Sequence, residues 1–191
     1  MKLAGAVLAG GQSRRMGRDK AMLVWNGEPL WRRQLRVLES CGAAPAALVR
    51  QPGQPDLGAP CWRDLRVGQG PLAGLEAALA QAQAAGADGL IALAVDMPFT
   101  TAAWFRWLLS AAPEGGVATL DGRYEPLAAV YPVAALPLIE AHLAAGQRSL
   151  QSLVEHLLAQ GLLRALSPPA ALRPQLQSVN TPDACPSTIA K

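Results

Sequence analysis

At 191 residues, 51% hydrophobic and 16% charged, the chain is long enough to bury roughly 70% of its unfolded surface in one core, and too apolar to be disordered. No apolar run reaches the ~18 residues that cross a bilayer, and Met1-Lys2 leads into a strand-like segment with no cleavage site, so a single cytoplasmic domain over residues 1–191, with no membrane contact, is expected. The formal charge of +3 is small and bunched around one glycine turn, which argues against a nucleic-acid surface, and Cys41, Cys61 and Cys185 are too few and too scattered for a disulfide framework or zinc site.

In chain order, Leu3 to Leu8 is an apolar run ending in glycines, as a buried parallel strand does when it feeds a loop. Pro29, Leu30, Trp31, Leu35 and Leu38 mark one face of a helix that closes near Gly42. Strands follow at Ala46 to Arg50 and Pro60 to Arg63, then a helix from Pro71 to Gly86 with Leu72, Leu75 and Leu79 at helical spacing. Leu90 to Val95 is apolar without alternation, as a central parallel strand covered on both faces must be. Thr100 or Thr101 caps a helix whose buried side is Trp104, Phe105, Leu108 and Leu109. Asp121-Gly122 is a two-residue hairpin signal joining Val117 to Leu120 with Arg123 to Tyr131. A further helix carries Leu150, Leu153, Val154, Leu157 and Leu158. Prolines at 168, 169 and 174 predict loop, and Leu176 to Val179 a last strand. The alternation of strands and helices predicts an α/β fold, mostly parallel, with an added antiparallel hairpin.

The run Leu8-Ala9-Gly10-Gly11-Gln12-Ser13-Arg14-Arg15-Met16-Gly17-Arg18-Asp19-Lys20 carries the chemistry. Two glycines allow a sharp turn and a close backbone approach to a ligand, and three arginines and a lysine follow. Gly17 is followed by Arg-Asp-Lys rather than Lys-Ser, so this is no Walker A loop, and it is not GxGxxG. What remains is a strand-to-loop turn whose amides face an anion, with Arg15 and Lys20 as side-chain donors. Asp96 ends the strongest strand, at the edge where open α/β sheets bind ligands, and there it suits magnesium shared with phosphate oxygens. A turn cap before Pro98 is the competing role. Asp64 reads equally as a nucleotide contact or a surface ion-pair partner of Arg63 or Arg66. Gly68 to Pro71 reads as a plain turn into a helix or as an anion-facing helix start, and Asn180 as an Asx-type cap or a substrate contact. Arg148 is a candidate for a second phosphate. His142 and His156 sit on predicted helices as partly exposed structural residues, and the five tryptophans read as core or rim.

LAGGxSxRMGxDK after an N-terminal strand resembles the signature of the molybdenum cofactor guanylyltransferases, within the Rossmann-like nucleotidyltransferases. The resemblance continues through Asn26-Gly27-Glu28-Pro29-Leu30, Gly70-Pro71-Leu72-Ala73-Gly74, Asp96-Met97-Pro98-Phe99 and Val179-Asn180-Thr181-Pro182, nearly the whole chain. It implies a three-layer fold and transfer of GMP from GTP to the terminal phosphate of molybdopterin-bound molybdenum cofactor, with release of pyrophosphate. It also implies Mg2+ held by Asp96, triphosphate held by Arg15 and Lys20, and close main-chain approach at Gly10 and Gly11. Leu8, Ala9 and Gly10 would be purine contacts, with Asp64 and Asn180 near the substrates. A monomer is expected, handing its product to a client molybdoenzyme or the client's chaperone. The segment Val49-Arg50-Gln51 departs from the family pattern, which commonly has a small polar residue or Asn after its second strand where this chain has Arg50 or Gln51. Two rivals stand beside this reading. One is the cytidylyltransferase acting on the same cofactor, whose sequences typically read Leu-Ala-Ala-Gly and Asp-Gln-Pro at the corresponding places. The other is a non-catalytic carrier of GTP or pterin.

Overall fold

Strand β1 (Leu3–Leu8) sends alternate residues to opposite faces, Leu3 and Val7 to one core and Ala4, Ala6 and Leu8 to another. The structure, a computed structural model, describes residues 1–10, 19–64, 66 and 68–179. A short hairpin, β2 (Val24–Trp25) and β3 (Glu28–Pro29), turns through Asn26 and Gly27, both at positive φ. Helix α1 (Leu30–Glu39) follows, with Trp31, Leu35 and Leu38 inward, and β4 (Ala46–Arg50) returns parallel to β1. Then come β5 (Cys61–Arg63), α2 (Pro71–Ala84) and β6 (Gly89–Ala94), the last pairing in parallel with all six residues of β1.

Helix α3 (Ala102–Ala111) is capped by Thr101, whose hydroxyl accepts from the Ala103 N–H. Strands β7 (Gly116–Leu120) and β8 (Arg123–Tyr124) form the expected antiparallel hairpin through Asp121-Gly122, both at positive φ. The segment Arg123 to Tyr131 is not one strand. It breaks at Glu125 to Leu127 around Pro126, which has no N–H to donate, and resumes as β9 (Ala128–Pro132), antiparallel to β6. Helices α4 (Leu136–Ala144) and α5 (Leu150–Ala159) and strand β10 (Arg164–Leu166) complete the sheet, in the order β10-β7-β9-β6-β1-β4-β5. Leu176 to Val179 does not pair as a strand. Ala170–Leu176 is instead a 3-10 helix, and Val179 donates its N–H to the Asp96 carbonyl at 2.7 Å.

Three layers result. One core lies between the sheet and α1 with α3, centred on Trp31, Leu38, Ile91 and Trp104, and the other between the sheet and α2, α4 and α5. Trp104 is buried and donates its indole N–H to the Ala128 carbonyl at 2.9 Å. His142 is buried, contrary to expectation, because the apolar side of α4 faces the sheet and the ring packs 5.4 Å from His156. Burial holds His142 below the ordinary histidine pKa, and the neighbouring ring charge adds to that. Cys41 and Cys61 are partly buried thiols, as expected, while Cys185 lies outside the described residues. No described helix is long and apolar enough to cross a membrane.

Gly74 brings α2 hard against the sheet, since a Cβ there would lie 2.9 Å from Leu8 Cδ1 and 3.4 Å from Val49 Cγ1. Gly74→Val is therefore expected to cost about 1–3 kcal/mol of stability through overpacking, read as a lowered denaturant midpoint. An unchanged midpoint would show that the contact relaxes freely.

Candidate functional site

Strands β4, β1 and β6 end side by side. Ala9 donates to the Val49 carbonyl at 3.0 Å and Val95 to the Leu8 carbonyl at 3.2 Å, so Gly10, Gln51 and Asp96 leave the sheet along one edge. The order of strands reverses here, β4 lying on one side of β1 and β6 on the other, which is where α/β sheets open a crevice. A cavity of about 500 Å³ occupies it, lined by Leu8, Ala9, Gly10, Lys20, Asp64 and Asp96, and also by Asp19, Val49, Gln51, Leu127, Val95, Ala94 and the start of α2.

The Asp96 loop is pinned from α1. Buried Gln34 donates its Nε2 to the Met97 carbonyl at 2.6 Å and the Ala94 carbonyl at 3.3 Å, and Arg33 Nε donates to Pro98 O at 2.8 Å. Asp96 Oδ2 lies 2.8 Å from Lys20 Nζ, with the two side chains 21% and 24% exposed, at the mouth of the cavity. Lys20 starts a 3-10 turn, Lys20–Met22, whose cap is Asp19 through a 3.0 Å bond from the Ala21 N–H.

On the opposite wall, Asp64 follows β5 and is 3% exposed. Of its two readings, the surface ion pair with Arg63 or Arg66 is not seen among the described residues: Arg66 pairs with Glu76 at 2.7 Å and Arg63 donates to the Gln51 and Gln54 carbonyls. Burial pushes the Asp64 carboxyl above the ordinary range, a hydrogen bond from the Arg66 N–H opposes this, and Glu76 adds to it. Gly70, at φ 75° and ψ −167°, takes a conformation closed to side-chain-bearing residues and turns the chain into α2, whose first turn lies beside the cavity.

Gly10 is not at positive φ, and a Cβ there would make only an ordinary van der Waals contact with Gln51 Cγ at 3.4 Å, so neither backbone strain nor crowding by the described residues demands glycine at this position. Gly11, Arg15 and Asn180 lie outside the described residues, and Arg148 is exposed between α4 and α5, off the cavity lining. Sequence reasoning missed Gln34, Arg50 and Leu127. Gln34 had a signal, a polar residue midway between Leu30 and Leu38 on the buried stripe of α1.

A crevice whose lining combines apolar side chains with a lysine, carboxylates and the start of a helix suits a ligand with a flat ring and a polyphosphate. The comparisons with known proteins agree with that chemistry. Residues 5–162 match the MobA-like NTP transferase domain. The chain belongs to that family. A relative from Opitutus terrae named "Probable molybdenum cofactor guanylyltransferase" is 47% identical over 188 residues, 95% of this chain and 92% of that protein. The molybdenum cofactor guanylyltransferase of Rhodobacter capsulatus is 39% identical over 80% of each chain. Among solved structures, molybdopterin-guanine dinucleotide biosynthesis protein A from Archaeoglobus fulgidus superposes with a TM-score of 0.69 and 26% identity, covering 96% of this chain and 94% of that one. The fold extends to the 2-C-methyl-D-erythritol 4-phosphate cytidylyltransferase of Thermus thermophilus, with a TM-score of 0.67 at 19% identity over 94% of this chain and 93% of that one. This family membership makes the chain a nucleotidyltransferase.

Two measurements test this geometry. Gln34→Leu leaves the Met97 carbonyl without its donor and is expected to cost about 1–3 kcal/mol of stability, read by chemical denaturation. Because the folded Asp64 carboxyl keeps its proton to a higher pH than the unfolded chain does, its contribution to stability falls as pH rises above the ordinary Asp range. Asp64→Asn is accordingly expected to melt higher than wild type at pH 7, with the advantage gone near pH 3, where the wild-type Asp64 carboxyl is largely protonated in the folded and the unfolded state alike. A variant that melts lower at pH 7 would contradict the burial argument.

Proposed function

We propose that the protein transfers GMP from GTP to the terminal phosphate of molybdopterin-bound molybdenum cofactor, releasing pyrophosphate. The observation that carries the reading is the Lys20–Asp96 pair at the mouth of the crevice in a chain 47% identical to a named guanylyltransferase. An oxygen of the acceptor phosphate attacks the α-phosphorus of GTP, and the bond from that phosphorus to the oxygen bridging to the β-phosphate breaks. The acceptor is already an anion, so no general base is needed, and the protein's work is positioning and charge compensation.

In this reading the main-chain groups of Leu8, Ala9 and Gly10 and the side chains of Gln51 and Asp64 surround the base and sugar. Lys20, with Arg15 and the amides around Gly11, holds the triphosphate. Lys20 and Asp96 compensate each other until the substrate supplies each with its own partner. Asp96 offers a hard oxygen donor within a phosphate-sized space, which fits magnesium completing its shell with phosphate oxygens and water. When bound, magnesium would offset charge developing at the α-phosphorus. Asn180 is assigned to the substrate region on its motif. A client molybdoenzyme or its chaperone would receive the product.

The test is to supply magnesium, molybdenum cofactor and each of the four nucleoside triphosphates in turn and to measure pyrophosphate. GTP is expected to be the productive donor; product from CTP instead would favour the cytidylyltransferase, and none from any would favour a carrier. Lys20→Ala is expected to weaken GTP binding by about 1.5–3 kcal/mol, measured by calorimetry. Asp96→Ala should retain weak nucleotide binding but release no pyrophosphate, and near-normal release would remove its metal role.

A further inference from the structure

Arg50 ends β4 with its guanidinium fully buried, an expensive place for a charge. Its Nη2 donates to Asp19 Oδ2 at 2.6 Å, while Nε and Nη1 find no hydrogen-bond partner among the described residues. A guanidinium carries five N–H donors, so this one is far from satisfied, and an apolar side chain of similar volume would suit the core better. The contact it does make is informative. Asp19 is the residue before Lys20, and its second oxygen, Oδ1, caps the turn that begins at Lys20. Lys20 in turn reaches Asp96, beyond the end of β6.

We infer that Arg50 is a positioning residue for Lys20. It anchors Asp19 to the end of β4, so that the turn carrying the lysine is held from β4 on one side and from Asp96 on the other, spanning the end of β1 between them. Arg50 touches no cavity surface and acts through Asp19. The inference rests on the reading of Lys20 as a triphosphate ligand.

The test is a double-mutant cycle on the full chain, with GTP affinity measured by calorimetry and folding by thermal melting. Arg50→Met is expected to melt at or above the wild-type temperature while binding GTP about tenfold more weakly. In a Lys20→Met background the same substitution should change affinity less than about twofold, because the group being positioned is gone. A general packing role would weaken both backgrounds equally, and that result, or unchanged affinity in Arg50→Met, would overturn the proposal. Should Arg50→Met melt low, Arg50→Gln keeps a donor for Asp19 without the charge. It is expected to bind GTP with intermediate affinity, and affinity no better than that of Arg50→Met would count against positioning. If wild type binds another triphosphate in place of GTP, the guanine assignment fails, and the same cycle run with that nucleotide still judges Arg50. A chain that binds no triphosphate overturns both.

Discussion

The parallel pairing of Leu3–Leu8 with Gly89–Ala94 is the contact on which the rest depends. Residues 8 and 94 are far apart in sequence, and only a ladder running in the same direction delivers both carboxyl ends to one edge. An antiparallel pairing would have sent Asp96 to the opposite end of the sheet from Gly10. With β4 locked to the other side of β1, three strand ends form one rim, and the crevice is the gap their diverging connections leave.

Polar side chains in unfavourable places hold that rim in shape. Gln34 sits inside a core to satisfy two carbonyls of the Asp96 loop, leaving its own Oε1 without a partner among the described residues. Asp64 is buried against its preference for ionisation, and Arg50 is buried with most of its donors idle. None of these is a good stability choice, since each forfeits hydration that an apolar residue would not need. Their concentration around one cavity matches the general observation that stability is given up where geometry must be defined.

The end of the described chain closes the back of the same loop. Thr100 donates its hydroxyl to the Gln175 carbonyl, Gln175 accepts from the Thr101 N–H and hydroxyl, and Val179 donates to Asp96 O. Asp96 is thereby braced by α1, by the Lys20 turn and by the C-terminal segment. A carboxylate so fixed loses little entropy when a ligand arrives, which favours charge compensation over adaptation.

Much of this was legible in the residues. Continuous apolar runs at 3–8 and 90–95 demand two covered faces and so announce central parallel strands, and Asp121-Gly122 announces its hairpin, because these signals are local and strong. Asn26-Gly27 carried the same hairpin signal and could have been read the same way. Lys20, Asp96 and Asp64 were chosen from motif and strand ends, and the fold gathers all three on one cavity. The short β10 and the 3-10 path of residues 170–176 were not legible, since three-residue pairing and proline-rich backbone are decided by the surfaces they meet. The sequence by itself determined the central strands, most of the helices and which residues could carry charge chemistry, because periodicity and residue type are properties of the local chain. Only the tertiary structure decided that Asp64 is buried with no ion-pair partner among the described residues, that Gln34 reaches the Asp96 loop, and that Arg50 reaches Asp19. Each of those depends on which strand lies beside which, and long-range pairing is written in no single segment.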